Sequence, residues 1–289
     1  MTEPRDLANF TASTVPPAQT ALVTGASRGI GLAIAAALAQ AGIKVALVAT
    51  NGDLLQTVAT DLRQIAKDPD DVVTIAADIS TEAGASDAVA GALAAFGHID
   101  LLVNAAGVLD AEVTAWEADT DDWWRTFEVN VKGPFLLAKA LVPQMIAHGG
   151  GRIVDLSSGA ATRPMDIASA YNASKTALMR FGEHLAVAGY DQGLRVFEVA
   201  PGVVKTDMTI DAKMHEGRTI WTPVSQTTEM VLAIARGEID ECSGWYIRVT
   251  DDTPESLRAL VAARPTTHPT SAARKLRIMP VPQGDPLHE

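Results

Sequence analysis

Residues 21–31 read Ala-Leu-Val-Thr-Gly-Ala-Ser-Arg-Gly-Ile-Gly: an apolar run breaks into glycine punctuation and passes at once into a helical stretch, Ile30–Ala41. Glycines let the backbone turn sharply and leave room for a pyrophosphate at the helix N-terminus. Unpaired N–H groups and the positive dipole end then receive the anion. A glycine turn after a strand often serves packing alone. The context gives this one its weight, because a strand precedes it and a helix follows at the start of a βαβ unit.

The same alternation continues outward. Ala21–Thr24, Val45–Ala49, Val72–Ala77, Asp100–Asn104, Arg152–Leu156 and Arg195–Ala200 are short apolar runs bounded by turn residues. Such runs predict strands buried on both faces, as in a parallel sheet. Between them, Asp53–Lys67, Thr81–Phe96, Thr120–His148 and Ala170–Tyr190 have helical length and periodicity. Strand–helix alternation predicts a single α/β domain, a doubly wound parallel sheet with helices on both faces. After Val204 the rhythm loosens. Lys205–Trp221 suits a mobile loop, Pro223–Arg236 a short helix and Trp245–Val249 one more strand. The expected organisation is a flexible arm over 1–18, a body over 19–250, and a proline-bearing extension of uncertain order over 251–289.

Composition narrows the function classes. With 23 basic and 35 acidic side chains the net charge is −12, which disfavours nucleic acid or an anionic membrane as partner. The lone cysteine, Cys242, excludes an intramolecular disulfide framework and any multi-cysteine metal site. His98, His148, His184 and His215 lack metal-ligand spacing, so no metal site is expected. No apolar run approaches the roughly 18 residues of a membrane span, and the N-terminus lacks a basic start and an apolar h-region. The expected location is cytoplasmic.

The end of the second strand bears on cofactor choice. A dinucleotide site for NAD usually places an acid there, on the ribose 2′-OH, whereas an NADP site avoids that charge and supplies a cation. Val48-Ala49-Thr50-Asn51 contains no acid, Arg28 lies in the glycine loop, and Asp53 is read as a cap of the next helix. NADP(H) is favoured, with NAD as the alternative.

A second constellation is Tyr171-Asn172-Ala173-Ser174-Lys175. On a helix, i and i+4 share a face, so the ammonium of Lys175 lies near the phenol of Tyr171 and is expected to lower its pKa. Tyr171 then becomes a proton donor to a carbonyl or an acceptor from an alcohol. Ser157-Ser158 ends the fifth strand, beside the sheet edge where open α/β folds bind ligands.

Together with the glycine loop, Asn104-Ala105-Ala106-Gly107, Asn130-Val131-Lys132-Gly133, the serine pair, the Tyr171–Lys175 pentad and Pro201-Gly202 occur in one order along about residues 19–250. In this the chain resembles the short-chain dehydrogenase/reductase family, which implies a Rossmann-type sheet. The resemblance implies catalytic roles for Asn130, Ser158, Tyr171 and Lys175. Ser158, thirteen residues before Tyr171, is the better match to the family serine than Ser157. It further implies cofactor contacts from Gly25, Ser27, Arg28, Gly29, Ile30, Gly31, Thr50, Asp78, Ile79, Asn104, Ala105, Gly107, Pro201, Gly202, Val204 and Thr206, besides Tyr171 and Lys175. Asp78 and Ile79 would face the adenine.

The implied activity is hydride transfer between NADP(H) and a carbonyl or secondary alcohol, in a homodimer or homotetramer. The alternatives are a dinucleotide-binding sensor without turnover, and a lyase or isomerase on the same scaffold. Two departures stand out. Ala105 replaces the second asparagine of the usual Asn-Asn-Ala-Gly, and the usual Asp-Gly-Gly ending gives way to Trp245–Asp252 and a long tail. Trp123 and Trp124 either pack in the core or meet another subunit. Trp116, Arg163, Met165, Trp221 and the 205–221 loop are positioned to shape a substrate pocket.

Overall fold

The computed structural model describes residues 14–263 and 274–277. Residues 1–13 of the expected arm, and 264–273 and 278–289 of the expected extension, lie outside the described residues.

Seven parallel strands form one sheet in the order β3-β2-β1-β4-β5-β6-β7. They are β1 (Thr20–Thr24), β2 (Lys44–Ala49), β3 (Val72–Ala76), β4 (Leu101–Asn104), β5 (Gly151–Leu156), β6 (Leu194–Ala200) and β7 (Tyr246–Arg248). Every residue of β1, β4, β5 and β6 is buried, as the mostly apolar runs predict for strands covered on both faces.

One face carries α1 (Gly29–Gln40), α2 (Gly52–Ile65), α8 (Val224–Ala235) and α9 (Pro254–Ala262), whose Ile34, Leu38, Leu55, Leu62, Met230, Ile234 and Leu257 join one apolar core. The other carries α3 (Glu82–Phe96), α5 (Gly133–Ala147) and α6 (Ser169–Gly189) through Ala85, Val89, Leu137, Leu141 and Ala186. Strand order reverses between β1 and β4, so their C-terminal ends diverge and open a crevice.

Several elements differ from the sequence reading. The helix expected over 120–148 is three pieces: α4 (Thr120–Phe127), a π-helical turn (Glu128–Lys132), then α5. Pro134 at the start of α5 has no N–H to donate, and Asn130 turns inward within the π turn, where it bonds to neighbouring loops. Asn51, not Asp53, caps α2: its side chain accepts from Leu54 N at 2.9 Å. The 205–221 stretch, expected as a loop, contains α7 (Asp207–Ile210) and a 3-10 turn (Lys213–His215). The carboxylate of Glu112 accepts from Lys213 N at 2.5 Å and Met214 N at 2.8 Å, fastening this stretch to the loop after β4.

Both ends of the described chain return to the body. Val15 and Ala18 are buried, and Ala18 N donates to Ala235 O. Beyond β7, α9 begins at a capping box made by Thr253 and Ser256. Arg274 and Leu276 then bond to Asp252 and Glu183.

Candidate active site

The crevice at the switch point holds a cavity of about 810 Å³. Its outer end is built by the β1–α1 loop. At Gly25, with φ +63°, an added Cβ would lie 2.9 Å from the Ala106 backbone, and one at Gly31 would collide with Gly25 O. Only glycine lets the loop pass this close to the segment after β4. Helix α1 starts without a capping side chain and without an acid in its first turn. By contrast α2, α3 and α4 are capped by Asn51, Thr81 and Asp119. The first N–H groups of α1 thus face the cavity free to receive an anion. A glycine cradle, an open helix N-terminus and an elongated crevice fit the pyrophosphate of a dinucleotide.

Of the expected cofactor residues, Gly25, Ser27, Arg28, Gly29, Ile30, Gly31, Thr50, Asp78, Ile79, Ala105, Gly107, Tyr171, Lys175, Pro201 and Thr206 line this cavity. Asn104, Gly202 and Val204 do not. Asn104 is buried beneath it, donating to Asp155 Oδ1 at 2.6 Å. Two lining side chains carry unforeseen partners. Arg28 pairs with Asp207 at 3.2 Å, both largely exposed. Asp78 accepts from Ser80 N and from Arg125 at 3.0 Å. Burial raises the Asp78 carboxyl, but the Ser80 and Arg125 bonds outweigh it and leave it below its ordinary range.

The inner end is made by β5 and α6. Ser158 follows β5, and its hydroxyl accepts from Ala160 N at 3.1 Å. Helix α6 begins from Ala168, held at φ 54°. Its first N–H groups are taken by Asp110, which accepts from Ala170 N at 3.0 Å and Tyr171 N at 2.8 Å. Tyr171 is therefore anchored at its own backbone by the loop after β4. Asn130 donates to Val108 O at 2.9 Å and Ser174 Oγ at 3.0 Å, and accepts from Val108 N at 2.9 Å. The structure thus gathers Asn130, Ser158, Tyr171 and Lys175 around the start of α6. Of these, only Tyr171 and Lys175 line the cavity.

One electrostatic expectation is corrected. Burial pushes the Tyr171 phenol above its ordinary value, with the Ser158 hydrogen bond pulling it back and Tyr246 adding to the rise. The Lys175 ammonium, bonded to the Leu156 carbonyl at 2.7 Å and 5.7 Å from the Tyr171 ring centroid, does not offset that rise. Burial instead pulls Lys175 itself down to about 8, against the pull of Glu198 and Asp155.

The sequence reading missed Asp110, Glu112, Arg125 and Asp207, whose partners lie far along the chain and leave no local signal. Asp155 and Glu198 did leave one: each is an acid set among apolar residues of a short strand. Conversely, Trp116, Arg163, Met165 and Trp221 do not line the cavity, whereas Met208, Asp211 and Ala212 of the 205–221 stretch do. Replacing Asp110 by Ala is expected to cost about 1 kcal/mol of stability, as for other lost N-caps. It should also lower kcat more than it raises KM, since Tyr171 loses its backbone anchor; thermal melts and steady-state kinetics read the two effects.

The family sequence model described as short chain dehydrogenase matches residues 19–217. The chain belongs to the short chain dehydrogenase family. A short chain dehydrogenase of Pseudocercospora fijiensis is 37% identical over 191 residues, covering 66% of this chain and 61% of that protein. Across the first four curated relatives the match spans 61–66% of their length. D-threitol dehydrogenase of Mycolicibacterium smegmatis is 39% identical over 188 residues, 65% of this chain and 71% of that protein. Among solved structures, a 3-ketoacyl-(acyl-carrier-protein) reductase from Brucella melitensis complexed with NADH superposes with TM-score 0.73 at 25% identity, covering 82% of this chain and 98% of that one. Among the described residues, no cluster of metal-ligating side chains occurs and no helix is long and apolar enough to cross a membrane.

Proposed function

We propose that the protein is an NADP(H)-dependent oxidoreductase acting on a carbonyl or secondary alcohol, with Tyr171 moving the proton. The observation that carries this reading is a single cavity with the open N-terminus of α1 at one end and Tyr171 and Lys175 at the other. When bound, the nicotinamide dinucleotide supplies or accepts the hydride. The chain's own groups manage the oxygen and the proton. The Tyr171 hydroxyl, protonated at neutral pH, donates to the carbonyl oxygen in reduction, and the Ser158 hydroxyl beside it orients that oxygen. Lys175 offers its buried charge to the ribose side of the site. Asn130 fixes the wall by tying Val108 to Ser174, and the family resemblance assigns its position to the proton relay.

Preference for the phosphorylated dinucleotide rests on the end of β2. Val48, Ala49 and Thr50 line the cavity there without a carboxylate, and Arg28 stands across the opening. The Arg28–Asp207 pair is solvent-exposed, so it contributes little and exchanges readily for a 2′-phosphate. Fluorescence titration should show NADPH binding more tightly than NADH. Arg28→Ala should weaken NADPH about tenfold, the size of one lost charge-assisted bond, while barely changing NADH. Tighter binding of NADH by the wild type would overturn this preference.

The activity is tested by following NADPH absorbance against a panel of carbonyl compounds. Binding of NADPH without turnover on any of them would favour a non-catalytic dinucleotide-binding protein instead. Trp124, Phe135 and Val187 leave exposed apolar surface on α4, α5 and α6. This supports association of copies as a homodimer or homotetramer.

A further inference from the structure

Behind Lys175, away from the cavity, two acids face each other inside the sheet. β5 and β6 pair in register, placing Asp155 opposite Glu198, and both are buried. Two ionised carboxylates at such a position would repel in a medium that screens poorly. Asn104 donates to Asp155 Oδ1 at 2.6 Å. Asp155 Oδ2 and both Glu198 oxygens, however, are buried with no donor among the described residues. Ionised carboxylates only accept, and a proton on one of the two acids supplies a donor between them. Glu198 Oε1 and Asp155 Oδ2 converge on one point, 2.1 Å and 3.3 Å from where a Cβ at Gly182 would stand.

The neighbours are arranged around this pair. Helix α6 passes over it at Gly182, where any Cβ would collide with Glu198 Oε1. A bare stretch of helix therefore gives the acid its space. Seven residues earlier on the same helix, Lys175 is the buried cation that both acids attract. Glu183, next to Gly182, also adds negative potential at Glu198, but it is itself held by Arg180 at 2.6 Å and by Leu276 N at 2.6 Å. Tyr246 on β7 faces Glu198 as well.

We infer that Asp155 and Glu198 hold one proton between them and act as a positioning pair for Lys175, presenting a single negative charge behind its ammonium. With Lys175 cationic, one shared proton makes the buried group neutral, whereas two ionised acids would leave an uncompensated charge. Burial pushes Asp155 up to about 6, against bonds from Asn104 and Glu198 and the pull of Lys175. It pushes Glu198 well above its ordinary range, with Asp155 adding to the rise. One proton held by the pair leaves it a single negative charge facing the buried Lys175 ammonium. The consequence for catalysis rests on the function proposed above; the shared proton itself does not.

The pair makes a specific forecast for charge-neutral variants. Glu198→Gln and Asp155→Asn each leave one ionised acid behind Lys175, so the Lys175 titration stays near its wild-type position in both. The double variant removes the last negative charge, and that titration should fall by about one pH unit or more, the usual effect of an adjacent opposite charge. Carbon-13 NMR on lysine-labelled protein, assigned with Lys175→Arg, reads the shift. The alkaline limb of kcat/KM should follow it. Infrared spectroscopy of the wild type at neutral pH should show the carbonyl band of a protonated buried carboxylic acid that both single variants lack. A wild type without that band, or a single variant that shifts Lys175 as far as the double, overturns the inference. The infrared and single-variant results decide even if the double variant does not fold. Absence of turnover in the wild type would sink the proposed function while leaving both spectroscopic readouts valid.

Discussion

Tyr171→Phe should lower kcat about a thousandfold while leaving NADPH affinity nearly unchanged. The substitution removes one oxygen and keeps the ring, so the cavity wall and the start of α6 persist. Asp110 still accepts from the backbone N–H of residues 170 and 171, and Lys175 still donates to Leu156 O because it makes no bond to the phenol. Only the proton donor is lost, and general acid–base catalysis typically contributes 10²–10⁴-fold. The pH dependence follows from the same geometry. Burial holds the phenol above its ordinary value, so it stays protonated through neutral pH and is ready to donate in reduction. Lys175, pulled down to about 8, loses its charge as pH rises through that value, so the reductive rate should decline above it. Steady-state kinetics across pH 6–10 and cofactor titration of the variant measure both effects. A variant retaining more than about a tenth of the wild-type rate would remove Tyr171 from the role of proton donor.

What the sequence disclosed and what it hid follow one physical division. The sheet was legible because a strand buried on both faces is built mostly of apolar residues, and Leu22-Val23 or Ile153-Val154 announce that without reference to any partner. The glycine loop was legible because close backbone approach forbids a side chain, and that prohibition is written at each position. The break in the long helix was written only as Pro134, while its consequence, an inward-turned Asn130, depends on Val108 and Ser174 from other elements. Asp110 carries no helical pattern of its own; it becomes the anchor of Tyr171 only when β4 and α6 meet. Charge was the least legible quantity. The spacing of Tyr171 and Lys175 places them on one helix face, but the shift of each depends on burial and on acids arriving from β5 and β6. Local rules thus give the scaffold, whereas the protonation states of the site belong to the assembled fold.

Arg152→Ala should cost about 3–5 kcal/mol of stability, the range for breaking an ion pair with a buried member, here a wholly buried arginine against a half-buried Asp240. Arg152 is the second residue of β5 and its side chain is wholly buried. Its Nε donates to Asp240 Oδ1 at 2.8 Å, and one terminal nitrogen reaches Asp240 Oδ2 at 2.6 Å. The remaining donors go to Pro16 O at 2.6 Å and Val15 O at 2.9 Å. One planar guanidinium thus closes the sheet, the turn after α8 and the incoming N-terminal segment. Lysine has a single nitrogen and cannot reproduce that fork, so Arg152→Lys should recover only part of the loss. At about 2–4 °C per kcal/mol for a domain of this size, the alanine variant's Tm should fall by roughly 10 °C. Limited proteolysis near residues 14–18 should accelerate in parallel. Arg152 lies at the N-terminal end of β5, whereas Ser158 and Tyr171 stand beyond its C-terminal end. Below the unfolding transition kcat and KM should therefore match the wild type. Removing Asp240 as well separates the two contributions. If the uncompensated carboxylate dominates, Arg152→Ala with Asp240→Ala should be more stable than Arg152→Ala alone. If the double variant is weaker still, the uncompensated carboxylate is not the dominant cost, and Asp240 stabilises its turn independently of Arg152.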